Sequence, residues 1–119
     1  MCLYYIKKKY IIPRKGGVGY KCMLKNGPCY NSPVFPGTDI PIGMWVTDYN
    51  KKRIEEEFIT SETYRAGFHI FTKLDDAEMY GLTMINTVIV KVKYNKVVAV
   101  GHQEGEVVVA KRMLIIGEI

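Results

Sequence analysis

Cysteine is scarce in this chain, and histidine scarcer. Cys2, Cys22 and Cys29 are an odd number with no C-x-x-C pair, which argues against a disulfide framework and suits the reduced thiols of a cytosol. Tetrahedral zinc usually draws its four ligands from two close-spaced pairs. The cysteines together with His69 and His102 are too scattered for that, so no metal and no cofactor are expected. No run of about 18 apolar residues occurs, and no transmembrane helix is expected. The N-terminal stretch MCLYYIKKKY is apolar and then cationic, the reverse of a secretory signal, and predicts a cytoplasmic protein without a membrane partner. Internal repeats and low-complexity tracts are also lacking.

With 119 residues, 48% of them hydrophobic, the chain is expected to be one domain with a real core. The net charge of +5 favours anionic partners: a nucleotide, nucleic acid or an acidic protein face. Its distribution is uneven. Lys7, Lys8, Lys9, Arg14 and Lys15 crowd the first fifteen residues, while Glu55, Glu56 and Glu57 form an acidic knot. The basic edge is either an anion-facing surface or a solvated one. Tyr4, Tyr5 and Tyr10 interleave with those lysines, the composition of a nucleotide-stacking surface; β propensity alone accounts for such aromatics equally well.

All five prolines fall in residues 1–50, so that half reads as turn-rich and irregular. PRKGGVG (13–19) is expected to connect the strand LYYIKKKYII to a second strand, YKCML. It lacks the strand-then-helix context of a phosphate-binding loop. KNGP (25–28) is expected to form a tight turn, with Asn-Gly supplying positive φ. IGMWVTD (42–48) reads as a strand, and Lys51 to Phe58 as a helical turn or two, or a loop.

The second half, 64–119, is more orderly: a strand, a helix and three strands. GFHIF reads as a buried strand, Thr72 as an N-cap, Asp75 and Asp76 as the first turn of a short helix, and Gly81 as its end. In TVIVKVKY, Val88, Val90, Val92 and Tyr94 share one face and Lys91 and Lys93 the other. YNKV (94–97) and EGE (104–106) are expected turns, and EVVVAKRMLIIG the last strand, with its alternation slipping near Ala110–Lys111. The fold class predicted is α+β: a mostly antiparallel, twisted sheet with one or two short helices.

Gly67, Phe68, His69 and Phe71, then Ala77 and Tyr80, then VIVKVKYNKVVAVG resemble the central segment of ADP-ribosyltransferase-like domains. The ending GHQEGEVVVA is similar to small phage proteins. Both likenesses cover about residues 64–119. They imply a compact ADP-ribosyltransferase-like fold and a phage-encoded protein working in the host cytoplasm. One branch of the superfamily uses Arg, a Ser-Thr-Ser strand and Glu-x-Glu; Arg14, then Thr60–Ser61, then Glu104 and Glu106 stand in that order here. In such a site NAD is the cosubstrate and a carboxylate, here Glu104 or Glu106, stabilises the cationic sugar as nicotinamide leaves. The triplet at that position reads Ile59-Thr60-Ser61, however. In the other branch, which uses His, Tyr and Glu, His69 stands where Tyr is wanted, and Tyr20-Lys21-Cys22-Met23 has no histidine.

Glu104 and Glu106 are therefore the catalytic candidates, or simply the acids of a solvated turn. His69, His102, Arg14, Tyr10, Lys9 and Tyr80 are the ligand-binding candidates. The two histidines are expected on different strands of one sheet, where they either approach each other or bond separately to backbone. Cys29 with His69 as base is a further nucleophile pairing, without an identifiable orienting acid. The function predicted is that of a small binding protein with degenerate catalytic positions, which occludes or sequesters a nucleotide-like anion or a host protein. The alternatives are an active NAD-dependent mono-ADP-ribosyltransferase and a ligandless structural protein. The Val-rich last strand, if it lies at a sheet edge, would pair with a second copy in a homodimer.

Overall fold

The computed structural model describes residues 5–6, 16–31, 39–48, 54–56, 63–65, 67–103 and 105–119. In chain order the elements are β1 (Tyr5–Ile6), β2 (Gly17–Asn26), β3 (Cys29–Asn31), β4 (Ile40–Pro41) and β5 (Trp45–Thr47). Then come β6 (Ile54–Glu56), β7 (Thr63–Arg65), β8 (Phe68–Phe71), α1 (Leu74–Gly81), β9 (Thr87–His102) and β10 (Glu106–Glu118).

The pairing is antiparallel throughout, and the main sheet rolls back on itself. One edge of β9 bonds to β10; its other edge takes β2 along Thr87–Tyr94 and β1 at Gly101–His102. The far edge of β10 takes β8 along Val107–Ala110 and β5 along Arg112–Leu114. β8 then meets β2 at Phe71 and Tyr20, so the order β9–β10–β8–β2 returns to β9. β3 and β4 extend β2, while β6 and β7 form a separate two-stranded sheet.

Rolling the sheet separates an inside from an outside. Met23, Ile70, Val90, Val92, Val108, Met113 and Ile115 fill the inside, each at most 5% exposed. Outside, α1 lies over Cys22, Phe71, Val107 and Val109, burying Ala77 and Tyr80 against them. A helix of eight residues is not stable alone in water; this burial is what holds α1 in place. Its Tyr80 ring stands 5.4 Å from that of Phe71, tilted by 43°, and the Cys22 thiol donates to the Ala77 carbonyl at 3.2 Å.

The α+β, ADP-ribosyltransferase-like expectation is overturned. The described chain is mostly antiparallel β-sheet, with α1 its one helix among the described residues, eight residues long. Two segments account for the difference. In the stretch read as helix or loop, Ile54–Glu56 is a strand paired with Thr63–Arg65. YNKV is not a turn either: β9 runs on for 16 residues, and Lys96 takes up the bend with a left-handed φ of 55°. Two long strands therefore replace the expected three.

Other expectations meet the structure more closely. Gly27 is left-handed, with φ 60°, in the β2–β3 turn; between β9 and β10 Gln103 N donates to Gly105 O at 2.9 Å, and Glu106, expected in that turn, is the first residue of β10. The slip in β10 is present: its inward positions change from Val108 and Ala110 to Met113 and Ile115, beside a register shift between Val109 and Ala110. Thr72 is not the N-cap. That position falls on Lys73, which makes no side-chain cap, while the Thr72 hydroxyl donates to Glu106 Oε1 at 3.3 Å. Gly81 is the last helical residue, and the cap position, Leu82, remains right-handed with φ −64°. Of the connection PRKGGVG, Gly17 to Gly19 belong to β2. Among the described residues no helix is long and apolar enough to cross a membrane.

Candidate functional site

The structure scatters the candidates named above. His69, 3% exposed, has Nδ1 3.2 Å from the Gly67 carbonyl, and its own carbonyl accepts from the buried Lys21 Nζ at 3.0 Å. In register it faces Val109, whereas His102 faces Glu106 on the other side of β10. Directly opposed residues share a sheet face. Because 109 and 106 differ by an odd number, the two histidines lie on opposite faces, two strand gaps apart. They are not brought together.

Glu106 is half-buried, beside His102 in register and bonded to Thr72. Burial raises the Tyr94 phenol above its usual 10.0, and the charge of Glu106 adds to the shift. Tyr80, 6% exposed, is packed between α1 and the sheet. Cys29 is half-buried on β3, opposite Asn26 and Pro41. Glu104, Arg14, Tyr10 and Lys9 lie outside the described residues, as do Thr60–Ser61 and Tyr4. Among the described residues no group of three His, Cys, Asp or Glu side chains is placed to hold a metal ion.

A different surface gathers the chemistry that the composition suggests. α1 covers only part of the outside of the sheet. Beyond it the register lays Trp45 (β5), Leu114 (β10), Lys93 (β9) and Val18 (β2) in one row. Alongside run Thr47, Arg112 and Asn95, and on the other flank Lys91 and Tyr20, the latter packed at the border of the cluster under α1. Trp45 is 38% exposed and Val18 45%. Lys93 is exposed; Lys91, Arg112, Leu114 and Tyr20 are half-buried. The Arg112 guanidinium sits 5.0 Å from the centre of the Trp45 ring, a cation–π pair that fixes the indole's orientation. Among the described residues placed on this face, three are cationic and none is acidic.

No family model matches the chain. No curated protein and no solved structure matches it either, so the reading of this face rests on its own residues.

Half of the signal was legible in sequence. Alternation put Lys91 and Lys93 on the face away from the valines, and the structure agrees. Nothing in sequence brought Trp45 and Arg112 beside them. They lie on strands 67 residues apart, and only the β5–β10 pairing unites them.

Burial also bears on the response to pH. Burial pushes the Cys22 thiol above its usual 9.0, and the Lys21 charge offsets only part of this. Tyr94 is shifted the same way. The folded state thus keeps protons that the unfolded chain gives up at high pH. Their contribution to stability is intact below about pH 9 and is lost as pH rises through the folded values. Thermal melts should show stability falling above about pH 9, and a Cys22→Ala variant should show a shallower fall; identical slopes would contradict this.

Proposed function

We propose that this chain is a binding protein that holds a nucleotide-like anion on the open outer face of β5, β10, β9 and β2. The row Trp45–Leu114–Lys93–Val18, with Arg112 against the indole, carries the reading. A phosphate-bearing ligand with an aromatic base needs cations for its charge and a flat apolar group for its ring. This face offers both, and among the described residues placed on it there is no acid to repel the phosphate. The action proposed is sequestration, with the ligand held on this face.

Thermal shift with a nucleoside triphosphate or short inorganic polyphosphate tests the reading. A ligand at about 100 times its Kd stabilises the folded state by about 2.7 kcal/mol. Charge reversal at Lys93→Glu and Lys91→Glu should abolish that shift and leave the ligand-free stability within about 0.5 kcal/mol, as expected for surface changes. If the reversed variant were stabilised as strongly as the parent, the anion would be bound elsewhere.

A further inference from the structure

We infer that the ligand of this face is a single-stranded nucleic acid laid across the strands from β5 to β2, rather than a free nucleotide or a duplex. The inference rests on the anion-binding reading above. It comes from how far apart the binding groups stand.

Among the described residues, Trp45 and Tyr20 are the two aromatic side chains that register places on this face, on β5 and β2 with β10 and β9 between them. Three strand gaps of about 4.8 Å and an offset of two residues, about 7 Å, separate them by about 16 Å. A mononucleotide cannot reach both rings. A chain of about four nucleotides can, with successive bases meeting Trp45, the apolar floor of Leu114 and Val18, and Tyr20. Lys91 and Lys93, two apart on β9, are about 7 Å apart along that strand, so they flank the path of the nucleic acid where it crosses β9 between the rings. Arg112 stacks on Trp45 at one end.

A duplex fits poorly. Its bases are stacked away from protein rings, and its grooves admit a protruding helix or ribbon. This face is the outside of a rolled sheet with apolar side chains among its cations, which suits bases already unstacked. An acidic protein partner would gain from the cations, but its charge alone does not call for two rings spaced across the face. Charge complementarity and the paired rings together favour the single strand.

Trp45 is the only tryptophan, so its fluorescence reports on this face directly. The protein is titrated with a 12-mer of thymidylate, a 12-mer of uridylate, a 12-bp duplex, thymidine monophosphate, inorganic polyphosphate and polyglutamate. The single strands should quench at concentrations at least tenfold lower than the duplex or the monophosphate. With three cations engaged, log K should fall with log salt at a slope of about −2, and Lys91→Gln with Lys93→Gln should reduce that slope by about 1.4. Trp45→Ala should weaken a labelled 12-mer about tenfold by anisotropy, and Trp45→Phe, which keeps a ring, should weaken it less. Tight binding of either 12-mer supports the inference, and a preference between them reports the sugar and the thymine methyl together.

Monophosphate binding as tightly as the 12-mers would overturn the single strand and leave the anion reading standing. The same holds for polyphosphate matching them, since stacking would then contribute nothing. Quenching by polyglutamate alone would replace the single strand with an acidic protein. If no ligand quenches, both readings fall.

Discussion

Gly19→Ala is expected to lower the stability of this protein by about 3 kcal/mol, the upper range for forcing an extra group into a packed site. A Cβ at Gly19 would lie 2.5 Å from Ile70 Cγ2 and 2.6 Å from the Phe71 carbonyl oxygen. This is the point where β8 meets β2 and the sheet completes its roll. The Phe71 oxygen is backbone, held by the pairing of β8 with β10, so it yields only if the closure opens. Gly67 is set the same way, 2.6 Å from the Ala110 carbonyl oxygen. Glycine at these places is a demand of close approach between strands. For a domain of about 100 residues, 3 kcal/mol lowers the melting temperature by about 15 °C. Gly117→Ala is the control: nothing lies within 4 Å of its Cβ position, and it should change stability by less than about 0.5 kcal/mol. Equal melting of the two variants would refute the closure role of Gly19.

Phe71→Ala is expected to cost about 4 kcal/mol, through lost burial and the cavity left behind. Phe71 is fully buried and forms the floor on which Tyr80 of α1 rests. Total stabilities of about 5–15 kcal/mol make either substitution a large share of the whole. The loss should also be local in character. With its floor gone, α1 loosens first, because eight residues cannot stay helical unaided. Cys22, which is fully buried and bonded to Ala77 of that helix, should then react with a thiol reagent at least tenfold faster than in the parent. Phe71→Leu keeps most of the volume and should cost less than about 1.5 kcal/mol with Cys22 still protected. Reactivity unchanged in Phe71→Ala, in a variant shown to be destabilised, would mean that α1 does not depend on this ring.

Particular elements show what sequence can and cannot reveal. Alternation of Val88, Val90, Val92 and Tyr94 with two lysines placed one side of β9 inward, because the strand period of two is a local property. The slip at Ala110–Lys111 was equally visible, since Val107 to Ala110 are all buried and a strand covered on both faces cannot alternate. The same local reasoning misread YNKV as a turn. Asn and Lys permit a left-handed residue, and whether that residue reverses the chain or bends a strand is decided by the neighbour it pairs with. Val97 pairs with Ala110 and Asn95 with Arg112, which carries β9 straight past Lys96. The acidic knot misled in a similar way. Glu55 and Glu56 suit a solvated helix as well as a solvated strand, and the pairing with Thr63–Arg65 selected the strand.

His69 illustrates the limit for sites. A histidine in an apolar run invites a functional reading, yet its ring nitrogen lies against the Gly67 carbonyl and its backbone supports Lys21. The surface that gathers cations and rings holds no histidine. By itself, the sequence determined what repeats over a few residues: the strand periods, the tight turn at Gly27, the first turn of α1 with its two aspartates, and the excess of positive charge. Tertiary structure alone decided the roll of the sheet, the glycines that permit it, and the meeting of Trp45 with Arg112 beside Lys93. These depend on pairings between strands tens of residues apart, which the long-range fit of the whole core selects and no local pattern records.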